Sequence, residues 1–511
     1  MSGSDNKRIA RNAVYLYGRM LLTMGVSLYT ARVVLDTLGV ANYGIYNLVG
    51  GIVTIISFIN GTMAGATQRF LNYEMGKGEP GKLQRTFSNS LLIHTGIALL
   101  VLLLGETAGL WFVNTQLVIA PERMLAANIT YQLSLLAAMA SIVQIPYTAS
   151  VMAHERMNIY AGLSVLNVVL KLLVALSLTL FATIDTLVVY ASLMLAATMA
   201  IAILYRAYCV GHFPECRFSR KIDKNIFRSL LSYSGWDLYG NLSYTARMQG
   251  TIVVLNNFGG TVLNAAGNLT LTVAGTLTSF AGGVVTAFRP QIIQQYAQRN
   301  YGRMLSLINN CARYSFILLG LLVVPVFLEM NYLLGLWLKE VPEFTVAFCR
   351  ISLIAACGEL LIVVACIGIH ATGRIKAFSF ISGSLYLLEL PAMYFMLRFT
   401  GNPPVVYVIH CAFIALILLA DTLMLKRLVP QFSIGTFWWR GVAVPLLIVA
   451  ASGIPARWAQ SAGDESILRA ILTAMCTTAV LLSLSFCFGI DNEMRRKVIN
   501  RLKSKCRCFN G

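Results

Sequence analysis

The sequence predicts an all-α protein that crosses a membrane about fourteen times, as two parallel copies of a six-helix bundle followed by two extra helices. Three observations carry that expectation. Apolar residues make up 57% of the 511-residue chain and charged ones only 12%, and mean hydropathy is +0.70. Such a composition belongs to a polytopic membrane protein. Next, the stretches from Asn12 to Leu38 and from Tyr43 to Glu74 each exceed the roughly 20 apolar residues that span a bilayer. Finally, the chain repeats itself. Leu35-Asp-Thr-Leu-Gly39 returns as Leu255-Asn-Asn-Phe-Gly259, Thr67-Gln-Arg69 falls on Ala287-Phe-Arg289, and after one gap Lys82-Leu83 matches Arg303-Met304. Internal repetition of helical bundles is a signature of transporters.

Taken in order, the apolar segments are 12–38, 43–74, 86–113, 123–152, 158–182, 185–208, 227–257, 261–291, 303–329, 343–372, 376–398, 404–426, 437–455 and 466–489. The N-terminus is polar and basic and carries no signal-peptide pattern. Putting it in the cytoplasm leaves 29 of the 40 lysines and arginines in interior loops and tails. On the outer side stand only Arg123, Lys339, Arg398, Arg457 and Arg469, as the positive-inside rule asks. The net charge of +19 therefore belongs to topology, and no nucleic acid is expected as a partner. Residues 1–208 form the first bundle, 209–226 a cytoplasmic linker, 227–426 the second bundle, and 427–511 two extra helices with a basic cytoplasmic tail. Arg156 after the fourth helix matches Arg374 after the tenth, 218 positions on. Six is even, so the copies share one orientation, and a cavity is expected between them.

Chemistry is sought first among ionisable residues inside apolar spans, because burying a charge there is costly. The first half offers Arg19, Arg32 and Lys171; the second offers Asp237, Arg247, Glu359 and Glu389. Arg32 lies near an outer end where it can snorkel. Lys171 lies too deep for that. The repeat offset places Lys171 at the position of Glu389. They form either an ion pair between the halves or a cation and an anion with separate duties. Small and polar stripes run along the second helix (Gly50, Thr54, Ser57, Gly61, Gln68) and the eighth (Asn264, Asn268, Thr272, Gly275, Ser279, Thr286). Close helix packing accounts for most of these, whereas Asn264 and Asn268, one turn apart, are expected to face water or a partner. His94, His370 and His410 share no spacing and are read as hydrogen-bonded core residues. The eleven cysteines are reduced: Cys506 and Cys508 are the only close pair, and CxC is not a zinc spacing. No phosphate-binding loop or nucleophile elbow is present. The chain is not expected to be an enzyme, and no cofactor is expected beyond a coupling H+ or Na+.

These features resemble the multidrug/oligosaccharidyl-lipid/polysaccharide (MOP) exporter superfamily. The resemblance rests on Arg32-x6-Gly39-x3-Tyr43-Gly44-x-Tyr46, on the Gly-rich second helix ending Thr67-Gln-Arg69-Phe, and on the six-six-two helix count. Within the superfamily the chain is most similar to bacterial Wzx-type polysaccharide flippases. That resemblance implies a MATE-like, V-shaped pair of bundles in the bacterial inner membrane. It implies movement of an undecaprenyl-diphosphate-linked oligosaccharide to the outer leaflet for O-antigen, lipopolysaccharide or capsule synthesis. A polysaccharide polymerase and glycosyltransferases become candidate partners, beside membrane lipids. The charges fit independently, since a diphosphate crossing a low-dielectric region needs fixed cations. Arg19, Lys171 and Arg247 are the expected ones, with Arg32, Asn264 and Asn268 also lining the substrate path. Asp237, Glu359 and Glu389 are the candidates for ion coupling or gating. The runner-up is a cation-coupled MATE-type drug exporter, which uses embedded carboxylates in the first bundle. Here the first half has only Asp36 and Glu106, both near outer ends. A membrane glycosyltransferase would need a sizeable outer loop or an acidic metal motif, and the longest outer loop, around Glu329 to Glu343, has neither.

Overall fold

The structure, a computed structural model, describes residues 11–12, 14–27, 29–30, 33–34, 37–38, 42, 45–46, 59–115, 119–178, 185–219, 223–338, 341–461 and 464–489. Eleven of the described helices are long and apolar enough to cross a membrane. The protein is an all-α, multi-pass membrane protein. Arg32, Asp36, the turn residues Gly39, Tyr43 and Gly44, and the helix-two positions Gly50, Thr54 and Ser57 lie outside the described residues, as does the basic tail.

The helices are α1 (14–27), α2 (Ile59–Lys77), α3 (Pro80–Thr115), α4 (Met124–Ala153), α5 (Met157–Ser177), α6 (Thr186–His212) and α7 (Lys224–Ala297). They continue as α8 (Tyr301–Leu328), α9 (Met330–Trp337), α10 (Thr345–Thr372), α11 (Lys376–Thr400), α12 (Val405–Leu428), α13 (Ile434–Ser461) and α14 (Ile467–Leu484). Side-chain caps set several starts. Asp185 accepts from the Leu187 amide, Asp223 from Asn225 and Ile226, Asn300 from Arg303, and Ser466 from Arg469, each satisfying donors that a first turn leaves free. Gly373 and Gly401, at φ 75° and 63°, end α10 and α11 in the left-handed conformation that glycine takes without strain. Within α3 the turn Gly105–Gly109 widens to π geometry, its Gly105 carbonyl accepting the Leu110 amide and also a 2.7 Å bond from the buried Tyr131 hydroxyl.

The largest departure from the sequence expectation concerns segments 227–257 and 261–291. They form one helix, α7, helical over 74 residues. It is not straight. A Cβ on Gly267 would lie 2.8 Å from the Ile252 side chain and 2.9 Å from that of Leu255. In a straight helix Ile252 and Gly267 would be about 22 Å apart along the axis. The chain doubles back between them, so the two predicted segments survive as the arms of one bent helix. Elsewhere the ends move modestly: α3 starts at Pro80 rather than 86, because a proline is favoured in a first turn.

Contacts divide the chain into two compact units: Met1–Leu238 with Ile293–Arg299, and Tyr239–Ile292 with Asn300–Gly511. In the first, α4 packs against α2, α3 and α6, and α5 against α6. Its core includes Leu71, Phe87, Tyr147, Val151, Ile201 and Cys209. In the second, α10 packs on α8 and α12, and α11 on α12, around Leu255, Leu263, Phe348, Met393 and Tyr407. The two last helices, expected as an appended pair, pack on each other and on α8. There Gly320 lets α13 approach so closely that a Cβ would sit 2.3 Å from Val449. Arg469 and Thr473 of α14 clasp the buried Glu329 carboxylate at 2.7 and 3.0 Å.

Candidate functional site: a closed charge cluster and an open polar stripe

The second unit gathers four charged or titratable side chains from four segments. On the first arm of α7, Tyr244, Arg247 and Thr251 share one face because residues three and four apart are helical neighbours. The Arg247 guanidinium donates to Glu359 Oε1 of α10 at 2.8 Å. His410 of α12 puts Nε2 at 3.3 Å from the same Glu359 oxygen and Nδ1 at 2.8 Å from Glu389 Oε1 of α11. Arg247, His410 and Glu389 are all buried. Two rings lie close to the guanidinium carbon, Tyr244 at 4.9 Å and Tyr386 at 5.7 Å, and they meet edge to face at 5.4 Å. Such contacts favour a cation in a dry setting.

Hydrogen counting constrains the cluster. Both ring nitrogens of His410 face carboxylate oxygens, and each contact needs one hydrogen. A neutral imidazole has only one N–H. The second hydrogen sits either on the ring, making it imidazolium, or on a carboxyl group. In both cases Glu359, His410 and Glu389 share one hydrogen beyond that of a neutral imidazole. With that proton on the ring, two cations face two anions and the buried charge sums to zero. A cavity of about 60 Å³ opens beside the cluster, lined by Arg247, Glu359 and His410 with Thr251, Ser352 and Tyr407. It has room for water. Among the described residues no group of three His, Cys, Asp or Glu is placed to hold a metal ion. His410 Nδ1 is hydrogen-bonded to Glu389, and Nε2 faces Glu359.

The first unit is arranged differently. Tyr160, Ser164, Asn167 and Lys171 follow a four-three-four spacing along α5, which stacks them on one helical face. All four are half-buried. Arg19 of α1 donates to the Tyr160 hydroxyl at 3.3 Å and lies 4.9 Å from the centre of its ring. Neither Arg19 nor Lys171 has a carboxylate partner among the described residues. The spans from Pro80 to His212 contain only Glu106 and Glu122 as carboxylates, and Glu106 accepts from Gln132 at 3.1 Å. A face carrying two cations, a phenol, a hydroxyl and an amide can bind a multivalent, hydroxyl-rich anion.

The structure thus brings Arg247, Glu359 and Glu389 together. Glu389 finds its partner, His410, inside its own unit. Lys171 and Arg19 belong to the other unit and are linked there through α5. Asp237 is half-buried in the first unit. Asn268 is exposed and donates to Asn264 Oδ1 at 2.6 Å, and below them Thr272, Thr276 and Ser279 return their hydroxyls to α7 carbonyls. Arg32 lies outside the described residues.

Sequence reasoning missed three residues and the setting of a fourth. His410 is the buried, hydrogen-bonded residue the sequence suggests, but its place between two carboxylates is not readable there; its 21-residue separation from Glu389 follows no helical rule. His94 and His370 do make core bonds, to the Ser90 carbonyl at 2.8 Å and to Cys366 Sγ at 3.2 Å. Asn167 was missed although its spacing from Lys171 was visible. Arg313, bonded to Asn310 at 2.8 Å, and Asp421, accepting from Ser382 at 2.7 Å, are charges inside spans that the same search should have returned.

No protein-family model matches the sequence, and no curated protein matches it. Solved structures do match. A MATE protein in its straight conformation aligns with a TM-score of 0.68 at 14% identity, over 84% of this chain and 97% of that one. The MATE transporter ClbM in complex with Rb+ gives 0.67 at 16%, over 87% and 98%. A MOP superfamily transporter from Pyrococcus furiosus, described by a reversed polarity of its binding pocket that suggests a different function, gives 0.64 at 12%, over 83% and 96%. The chain has the fold of the MATE transporters of the MOP superfamily.

Proposed function

We propose that this protein is a membrane exporter, not an enzyme, that flips an undecaprenyl-diphosphate-linked oligosaccharide across the bacterial inner membrane for surface polysaccharide synthesis. The observation that carries the reading is the pair of cations in the first unit, Arg19 and Lys171, which have no carboxylate partner among the described residues while α5 adds Asn167, Ser164 and Tyr160 beside them. Charges left unneutralised in an apolar span are costly, and a diphosphate supplies the missing counter-charge. Each charge-assisted contact contributes about 1.5–3 kcal/mol. Hydroxyl and amide groups on the same face suit sugar hydroxyls. The Glu359–His410–Glu389 group is then the proton-carrying element that couples transport to H+, with Arg247 holding Glu359 in place. Glycosyltransferases that build the lipid-linked sugar and a polymerase that consumes it are the partners this role implies.

The second reading, a cation-coupled drug exporter, is favoured by the fold shared with MATE transporters and by the proton-holding cluster. The two readings differ in the charge of the cargo. Purified protein in proteoliposomes is offered a fluorescent polyprenyl-diphosphate oligosaccharide or a fluorescent organic cation. The proposal expects movement of the first, inhibited by unlabelled lipid diphosphate and indifferent to the cation. Transport of the cation alone would overturn it in favour of the second reading.

A further inference from the structure

A second feature of the first unit is independent of the cargo. A groove of about 890 Å³ runs between α4 and α6, within the range of about 300–1,000 Å³ typical of ligand sites. Its walls are apolar: Leu136 and Val143 from α4 face Met199 and Ile203 from α6. On α6 the lining extends from Leu195 to Val210, which at 1.5 Å per residue is about 22 Å. One leaflet of hydrocarbon is about 15 Å deep, so an acyl chain fits lengthwise. The chemistry changes at one end. Arg206 near the end of α6 and Arg217 in the following segment line the same groove, and both are exposed. Neither forms an ion pair with a described carboxylate. The nearest acidic residue in sequence, Glu215, is instead held by His154 at 2.5 Å. Phe218, 54% exposed beside Arg217, has the position of an aromatic side chain at a membrane–water boundary.

We propose that this groove is a binding site for one anionic phospholipid, its phosphate between Arg206 and Arg217 and one acyl chain along α4 and α6. Paired cations at the mouth of an apolar groove are complementary to a phosphate carried on a hydrocarbon tail, and basic pockets between membrane helices take such head groups. A zwitterionic lipid offers the same tail, but its own cation competes with the arginines for the phosphate. The site stabilises the bundle by tying α6 and the segment after it to the bilayer.

The test uses the full-length protein in detergent, with thermal unfolding and native mass spectrometry as readouts. Dioleoyl phosphatidylglycerol, dioleoyl phosphatidylcholine and inorganic phosphate are each added. The expected result is a retained phosphatidylglycerol and a higher unfolding temperature with that lipid, and neither effect with phosphatidylcholine or phosphate alone. Arg206→Gln/Arg217→Gln should reduce phosphatidylglycerol retention by an order of magnitude. Ala202→Trp, which fills the groove, should reduce it while leaving both arginines. Equal retention of the two lipids, or undiminished retention by the double glutamine variant, would overturn the proposal. So would a shift with inorganic phosphate as large as with the lipid. Because the arginine variants are exposed substitutions, they remain informative even if Ala202→Trp does not fold. None of these outcomes bears on which cargo is transported.

Discussion

The two units place charge inside the membrane in opposite ways. In the second, Arg247, Glu359, His410 and Glu389 contact one another at 2.8–3.3 Å, leaving only Arg247 Nε and Glu389 Oε2 of the cluster without a hydrogen-bond partner, and the helix that carries Glu359 is the most buried of the described spans, at 61%. In the first, Lys171 lies on the described span with the least burial, 11%, and neither it nor Arg19 pairs with a described carboxylate. A cluster whose charges meet within the fold should be needed for folding. On the proposed reading an open stripe is balanced by a ligand from outside, so its members should be needed for transport. The difference teaches that a charge in a membrane helix is not one kind of evidence. Its partner decides which role it has.

The sharpest way to break this contrast is Arg247→Ala. It leaves the half-buried Glu359 beside an apolar stub and the buried cluster one cation short, and breaking a fully buried pair costs about 3–5 kcal/mol, an upper bound here. A large fall in unfolding temperature and folded yield is expected, with most of it restored in Arg247→Met/Glu359→Gln, where both charges are gone. An unaltered single variant would mean the cluster is not closed.

Glu389→Gln should have a smaller effect. The amide oxygen still accepts from His410, so stability should fall by about 1–2 kcal/mol, near the net value of one hydrogen bond. Its diagnostic is functional: with one carboxylate fewer to share the hydrogen, transport should lose its response to an imposed proton gradient. Transport rates measured with and without that gradient would sharpen or blunt the assignment of coupling to the second unit.

A third expectation concerns the first unit outside the spans. Burial pushes the Glu215 carboxyl up, but the hydrogen bond from His154 and a backbone amide outweigh it and hold the group below its usual 4.5. A depressed value in the folded state contributes stability that is complete above the ordinary value and lost as pH falls below it. The unfolding temperature of the native protein should therefore exceed that of Glu215→Gln at neutral pH, with the gap closing below pH 4.5. The smallest effect is expected at Arg123, whose fork holds Asp185 at 2.6 and 3.1 Å in a setting about one-third exposed. Arg123→Ala should cost about 0.2–1 kcal/mol, because the Asp185 cap on α6 remains.

Most of the fold was legible because a membrane span announces itself by length and hydropathy. The ends of α10 to α12 fall within two residues of the sequence reading. The bend of α7 was not legible as a bend. Residues 258–260 read as a turn, and nothing local says whether a turn keeps its helical bonds. The site was half legible. Arg247, Glu359 and Glu389 stand out as charges in apolar runs, but their pairing links positions 112 and 21 residues apart, and only packing brings those together. The α5 stripe was written in a helical period, yet three of its members are neutral and do not disturb hydropathy enough to be noticed beside Lys171.

The central claim is that the first unit's cations await an anionic cargo, and Arg19→Ala/Lys171→Ala tests it most directly. Unfolding temperature and lipid-linked oligosaccharide transport are measured on the same proteoliposome preparation. The account predicts an unfolding temperature within a degree or two of the native protein, because no described carboxylate loses its partner, together with transport reduced at least tenfold. Transport at the native rate by this folded double variant would contradict it.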